Sequence, residues 1–455
     1  MPEFGSKILL MPRRRKRDLI IKGFSKLLKE DKLKIVADLM DNQLDTIELL
    51  KSFWYADTEK QKIFDEFSEN TITNFYIPYG VAPNVIVNGH TYVVPMVIEE
   101  SSVVAAASSS ARFWSDLGGF HAEVNTTIKE GQIHFQWKGS KAKLIAVFDQ
   151  LKQLFRENTR HITANMEKRG GGILDFELVD KTDELTDYYQ IKVTFDTKDS
   201  MGANFINSCL EESSRTLTDF FAIHETFVGS EKEVRIIMSI LSNYTPDCLV
   251  KTWVECDFED LEKIDPSLTG EQFARKFETA VKIAEIDVYR ATTHNKGIFN
   301  GIDAVAIATG NDFRAIEAAG HTYAAHTGRY QSLSHVEISG SRFKYWIETP
   351  LSMGTVGGLT SLHPLAKHSL EMLGNPSAKE LMMITASVGL ANNFAAIRSL
   401  VTMGIQVGHM KMHLMNILNY FNANESEKEK ALSYFTDRKV SFADVDNFIK
   451  KLRFA

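Results

Sequence analysis

The residue pattern predicts an α+β protein carrying a compact ferredoxin-like insertion, and three observations predict it. The segment from about residue 124 to 233 reads strand, helix, strand, strand, helix, the order of a small α+β sandwich. The chain has 455 residues, more than one hydrophobic core normally serves, so two or three structural units are expected. Beyond Gly297 the texture changes again, to a short apolar run, a turn and further helices.

In chain order, residues 22–70 are charged and amphipathic, with apolar positions at helical spacing, as in Leu33, Ile35, Val36 and Leu39. Tyr79-Gly80-Val81-Ala82-Pro83 is a turn. Val85-Ile86-Val87 and Thr91-Tyr92-Val93-Val94 then flank Asn88-Gly89, a strong hairpin signal. Glu100-Ser101-Ser102 opens a helix of small residues that stops near Gly118-Gly119. Within the insertion, Gln132 to Trp137 alternates as a strand and Lys141 to Arg156 is helical. Phe176 to Val179 and Gln190 to Phe195 are strands, and Asn204 to Ile223 is a helix. Ala304-Val305-Ala306-Ile307-Ala308 is expected as a short buried strand running into Gly310-Asn311-Asp312. Ser377, three residues before Glu380, forms a capping box ahead of a long apolar helix. The tail from Lys411 is helical and broken at Asn422-Ala423-Asn424.

Composition narrows the function classes. Hydrophobic residues make up 44% and charged residues 24%, ordinary values for a globular protein. A net charge of −7 gives no general attraction to nucleic acid, so none is expected as a partner. Three scattered cysteines, with no CxxC pair, fit a reducing compartment and no structural zinc. The longest apolar stretch, Leu381 to Val401, is broken by Asn392, Asn393 and Arg398 and reads as a buried helix. The expectation is a cytoplasmic protein without a membrane partner. The basic run Arg13 to Arg17 is followed by no sustained apolar segment.

Neither GxGxxG after a strand nor GxxxxGK[ST] occurs, which excludes a Rossmann fingerprint and a P-loop. Gly170-Gly171-Gly172 and Gly354-Thr355-Val356-Gly357-Gly358 are, by themselves, permissive loops. Taken singly, Glu100 is a carboxylate at a helix N-terminus, Lys296 a loop lysine and Asp312 an N-cap. His409 and His413 lie four apart, but no HExxH or third ligand accompanies them, so no metal is expected.

Their combination carries more. Val94-Pro95-Met96-Val97-Ile98-Glu99-Glu100-Ser101-Ser102-Val103-Val104-Ala105-Ala106, the hexapeptide Asp199-Ser200-Met201-Gly202-Ala203-Asn204, the HNKGIFNG and ATGNDFRA runs of 290–315, and Gly404-Ile405-Gln406-Val407-Gly408-His409-Met410 together resemble the class II 3-hydroxy-3-methylglutaryl-CoA (HMG-CoA) reductases of bacteria and archaea. The motifs span nearly the whole chain in family order. Two positions depart from the pattern: Ser200 replaces the Ala of DAMGAN, and Asn392 stands where class II relatives often have Gln.

The resemblance implies a large mixed α/β substrate domain (1–123 and 238–403) interrupted by a small non-Rossmann NAD(P)-binding domain (124–237). It adds a C-terminal helical flap (404–455). It implies homodimers with shared active sites, or larger assemblies. Catalytic roles carry over to Glu100, Lys296, Asp312 and His409, and substrate contacts to Ser102, Arg290, Asn300 and Asn243. Asp199, Met201, Gly202 and Asn204 of the hexapeptide carry the cofactor contacts. The implied reaction interconverts HMG-CoA with mevalonate and CoA by two hydride transfers, in the mevalonate pathway of isoprenoid metabolism.

Such chemistry needs a cation at the carbonyl oxygen, here Lys296, kept charged and aimed by pairing with Asp312. It needs a proton for the departing thiolate, which suits the imidazole of His409, and an acid for the second alkoxide, Glu100. Arg290 suits the free carboxylate of the HMG group. The stretch Arg160-His161-Ile162-Thr163-Ala164-Asn165 offers basic neighbours and no acid, which favours NADPH over NADH. Two other classes stay open: another CoA-thioester oxidoreductase, and an inactive homologue acting as a CoA-binding or assembly protein.

Overall fold

A computed structural model of the chain describes residues 20–402, 414–436, 438 and 440–454. The chain divides into two compact units, Met1–Pro78 and Tyr79–Ala455.

In the first unit, α1 (Lys29–Ala37), α2 (Gln43–Ser52) and α3 (Thr58–Asp65) follow one another. Asn42 and Asp57 accept from backbone N–H groups at the starts of α2 and α3, which fixes where those helices begin. The Lys29 ammonium meets Asp65 Oδ1 at 2.6 Å and lies 4.0 Å from the centre of the Trp54 ring. The Trp54 indole donates to the Ile72 carbonyl at 2.9 Å, tying the helices to the following chain.

The second unit opens with the predicted hairpin, β1 (Tyr79–Val87) and β2 (His90–Val97). Its two-residue turn holds Asn88 at φ 49° and Gly89 at φ 83°, the left-handed pair that a right-twisted hairpin needs. Helix α4 (Ser101–Ser115) follows. Next come β3 (His121–Val124) and the insertion: β4 (Ile128–Trp137), α5 (Lys141–Glu167), β5 (Gly172–Asp180), β6 (Tyr188–Asp196), α6 (Ala203–Ile223) and β7 (Val234–Ser242). These strands form one antiparallel sheet in the order β5-β6-β4-β7. With two helices, that is the ferredoxin-like arrangement. Strand β7 was not foreseen, and it runs through position 237, where the family resemblance implied a domain boundary. Ile133, Phe135, Trp137, Leu151, Phe155, Ile191, Phe195 and Leu217 build a core here, separate from the other buried clusters.

The chain then supplies β8 (Leu249–Asp257), α7 (Gly270–Ile286), α8 (Val288–Ala308), α9 (Phe313–Ala324), β9 (Ser334–Ser339) and β10 (Arg342–Pro350). A second antiparallel sheet runs β3-β8-β10-β9. Helices α10 (Pro364–Met372) and α11 (Ala378–Val401) complete this part, and α11 begins at the predicted Ser377–Glu380 capping box. Helix α11 is long and apolar enough to cross a membrane by length and composition, but 83% of its apolar window is buried inside this chain. It is the central core helix, as the interrupting Asn392, Asn393 and Arg398 suggest. Beyond it, residues 414–420 are helical, and α12 (Glu425–Tyr434) and α13 (Phe442–Phe454) pack around Leu418, Ala431 and Val445.

One element differs in kind from its expectation. Residues 304–308 are not a strand; they form the C-terminal end of α8, which also contains Lys296. A five-residue apolar run has no periodicity that separates buried strand from buried helix. Three of its five residues are Ala, the strongest helix former. The helix reading is enforced by packing. A methyl group at Gly301 would stand 2.6 Å from the Val388 carbonyl, and one at Gly389 would stand 2.8 Å from Ile302. Helices α8 and α11 therefore approach backbone to backbone.

Candidate active site

Glu100 ends the segment leaving β2 and is the N-cap residue of α4, at φ −100° and ψ 113°. Its side chain caps no backbone N–H; it accepts a hydrogen bond from the Ser102 hydroxyl instead. Helix α8 starts one residue after Asp287, whose carboxylate accepts from the N–H groups of Tyr289 and Arg290. Two of the predicted residues, Lys296 and Asn300, lie one helical turn apart on α8 and share a face. Neighbouring His294, Asn295 and Ile298 are buried on the helix's other faces. The exposed Lys296 ammonium lies 3.8 Å from Glu100 Oε2. Residues from two separate parts of the chain, with Ser102 beside them, thus converge on one polar spot.

Arg290 is half-buried, and burial lowers the pKa of its guanidinium while nearby Tyr345 opposes that shift. It remains charged, and no carboxylate among the described residues pairs with it. A partly desolvated, unpaired guanidinium favours a visiting carboxylate.

Asp312 is the N-cap of α9, accepting from the N–H groups of Arg314 at 3.1 Å and Ala315 at 3.2 Å. Its ion pair is with Arg314, at 2.9 Å to Oδ2. The expected Lys296–Asp312 pair is therefore not made: among the described residues Lys296 pairs with Glu100. The physical reason is local, since Arg314 sits two residues away on the same helix start and closes a bidentate contact with both Asp312 oxygens.

The Asp199-Ser200-Met201-Gly202 turn is held on several sides. The Asp199 carbonyl accepts from Thr355 N–H at 2.8 Å, and its carboxylate accepts from Ala378 N–H at 2.7 Å, at the start of α11. Gly202 stands at φ 80°, where a Cβ would also lie 2.5 Å from the Thr197 methyl, so only glycine fits. A Cβ at Gly354 would lie 2.4 Å from the Met201 nitrogen, so the 354–358 loop presses directly on the turn. The first turn of α6, Gly310, Asn311 and the 356–360 segment line a cleft of about 370 Å³. No side chain caps the N-terminus of α6, whose free N–H groups and dipole suit anionic phosphates. Backbone walls and small residues let an anionic group approach the turn closely.

Asn243 lies exposed in the bend after β7 and lines a small cavity with Met201, Ala203 and Ala315. That cavity brings the hexapeptide and the first turn of α9 together. His409 and His413 lie outside the described residues. Among the described residues no cluster of His, Cys, Asp and Glu could hold a metal.

Two further residues belong to this neighbourhood. Asn311 accepts from Gly354 N–H at 2.8 Å and so joins the ATGND turn to the 354–358 loop. Lys129 lies beneath the hexapeptide. Its signal was available in the strand's parity: 129 shares the inward face with Ile133, Phe135 and Trp137, an odd place for a lysine.

With this geometry in hand, the similarities to known proteins are specific. The family model of hydroxymethylglutaryl-coenzyme A reductase matches residues 29–414. The chain belongs to that family. It is 34% identical over 436 residues to the 3-hydroxy-3-methylglutaryl-coenzyme A reductase of Archaeoglobus fulgidus, covering 95% of this chain and 94% of that protein. It is 30% identical over 443 residues to the probable reductase of Borreliella burgdorferi, covering 95% and 97%. The class II reductase of Streptococcus pneumoniae, solved bound to NADPH in open conformations, superposes with a TM-score of 0.68 at 35% identity, covering 90% of this chain and 99% of that one. A second structure of the same protein gives 0.68 at 34% identity, covering 95% and 100%. Membership in the HMG-CoA reductase family makes the chain a nicotinamide-dependent oxidoreductase of the mevalonate pathway that acts on HMG-CoA. The α+β architecture agrees with the class II structures.

Proposed function

We propose that Glu100, Lys296, Asp312 and His409 carry the two reductions, with Ser102, Arg290, Asn300 and Asn243 binding the acyl-CoA. Asp199, Met201, Gly202 and Asn204 would form the cofactor turn. The observation that carries this reading is the approach of the Lys296 ammonium to Glu100 Oε2, 3.8 Å, beside the Ser102 hydroxyl.

A nicotinamide bound in the cleft supplies the hydrides. Lys296 then donates to the thioester oxygen as it gains negative charge, a contribution worth roughly 3–4 kcal/mol of barrier in oxyanion sites. His409 protonates the thiolate that leaves as the hemithioacetal collapses. Glu100, the carboxyl group that meets Lys296, gives the proton that the second alkoxide needs. Arg290 holds the free carboxylate of the HMG group at the far end. Asp312 fixes the start of α9 and reaches Lys296 only if its contact with Arg314 opens on substrate binding.

The preferred carrier is NADPH, supported by the basic stretch around Arg160 and by the NADPH complex of the pneumococcal relative. The domain partition keeps 1–123 and the chain up to 403 for substrate and 404–455 as a flap, but the cofactor part that begins at 124 extends past 237 to the end of β7 at Ser242, supported by the insertion's own sheet and separate core. The working form is a cytoplasmic homodimer with shared sites, in keeping with three buried free thiols. The test is a spectrophotometric assay run in both directions with NADPH and with NADH. HMG-CoA-dependent oxidation, faster with NADPH, is expected. A faster NADH reaction would overturn the cofactor preference, and no HMG-CoA- or mevalonate-dependent change with either would overturn the reading.

A further inference from the structure

Lys129 is 3% exposed, yet it has no carboxylate within ion-pairing distance among the described residues. Its ammonium donates to the Thr197 hydroxyl at 2.6 Å, the Ser200 carbonyl at 3.3 Å and the Thr127 carbonyl at 3.5 Å. All three acceptors are neutral. The nearest acids are committed elsewhere: Asp196 pairs with Lys198 at 2.7 Å and also accepts from Thr127, while Asp199 accepts from Ala378 N–H at the start of α11. Burial lowers the lysine's pKa, opposed by the pull of Cys248, Asp196 and Asp199. Beside it lies a cavity of about 20 Å³, lined also by Met201, Asn243 and Thr245.

Burying a lysine ammonium among neutral oxygens is costly, and only its hydrogen bonds to them offset that cost. What it touches is the turn that leads into the cofactor cleft. The Thr197 hydroxyl also donates to the Ser200 carbonyl at 2.6 Å, so Lys129 and Thr197 together fix the direction of the Ser200–Met201 peptide. Directly beyond it, Gly202 turns the chain into α6, whose N-terminus lines the cleft.

We propose that Lys129 is a positioning residue for the cofactor: it holds the Ser200 carbonyl inward and sets a buried positive charge beneath the first turn of α6. This rests on the reading that a nicotinamide dinucleotide occupies the cleft. The charge adds to the helix N-terminus in drawing the anionic pyrophosphate, and the hydrogen bonds keep the turn open to it.

The experiment compares wild type with Lys129→Met, which keeps the length and removes the charge, and with Thr197→Val, which removes the bridging hydroxyl. NADPH binding is followed by fluorescence titration, and KM and kcat are measured for NADPH and HMG-CoA at two salt concentrations. Lys129→Met should weaken NADPH binding about tenfold or more. It should change the KM for HMG-CoA and kcat at saturating NADPH by less than about threefold, and flatten the salt dependence of NADPH binding. Thr197→Val should shift NADPH binding the same way by a smaller factor, and it serves alone if Lys129→Met does not fold. Unchanged NADPH affinity in the folded variants, or a loss shared equally by kcat and both KM values, overturns the proposal. Absence of NADPH binding by wild type would instead sink the reading on which it rests.

Discussion

Arg290 and Lys296 sit six residues apart on α8, and their surroundings give them different work. Arg290 is half-buried and unpaired among the described residues, whereas Lys296 is exposed beside Glu100. Replacing Arg290 with Gln should raise the KM for HMG-CoA about 10- to 100-fold, the loss expected when a charged hydrogen-bond partner is removed, with NADPH binding unaffected. Steady-state kinetics check this, and an unchanged KM would remove Arg290 from the substrate site. The same stretch shows why sequence reads chemistry imperfectly. His294 and Asn295 belong to the run with the strongest family likeness, yet both are structural. Burial holds the His294 imidazole neutral, with its pKa down to about 3, and Nε2 lies 2.6 Å from the Ser334 hydroxyl. Asn295 donates to the Gln331 carbonyl and accepts from Leu333 N–H. A motif marks the neighbourhood; burial decides which of its polar groups face substrate. Glu100 and Lys296 were legible from their context, whereas the Asp312–Arg314 pair was not, because spacing alone cannot rank competing partners.

Helix α8 carries Arg290, Lys296 and Asn300, so whatever fixes its register fixes the site. On one side Gly301 and Gly389 let it meet α11, where Asn393 donates to the His294 carbonyl and accepts from the Tyr345 hydroxyl. On the other side α9 packs against it so closely that a Cβ at Gly320 would stand 2.3 Å from Phe299. One turn along that contact, the Asp303 carboxyl is largely removed from water and meets the Glu317 side chain in a hydrogen bond. Burial, reinforced by Glu317, pushes its pKa up to about 8. A carboxyl with a folded pKa above its unfolded value binds a proton on folding. Its cost to stability is therefore absent below about pH 4 and grows as pH rises towards 8. Asp303→Asn removes that cost, so its thermal midpoint should exceed that of wild type by a few degrees near pH 8 and converge with it near pH 4. Parallel melting curves with a constant offset across pH would contradict a proton taken up by Asp303 on folding. The misread strand at 304–308 belongs at this scale too. An Ala-rich apolar run carries no period, and only the glycine-mediated contact with α11 makes it helix.

At the scale of the molecule, the insertion and the surrounding chain keep separate cores, and the cleft lies where the insertion's Asp199–Asn204 segment meets the 310–311 and 354–360 loops. The strand–helix alternation made the insertion legible. Strand β7, the β8–β10 sheet and the amphipathic helix α7 were not singled out, because no motif draws attention to them. The loop that presses Gly354 onto Met201 was equally hidden, since its partner lies more than 150 positions earlier in the chain. On the proposed reading, this organisation serves one event, the first hydride delivered to a thioester whose oxygen Lys296 would stabilise. Single-turnover oxidation of NADPH by Lys296→Ala at saturating HMG-CoA tests it most directly. The account predicts a rate lowered about 100-fold or more, with acyl-CoA binding retained. Oxidation at the wild-type rate would contradict it.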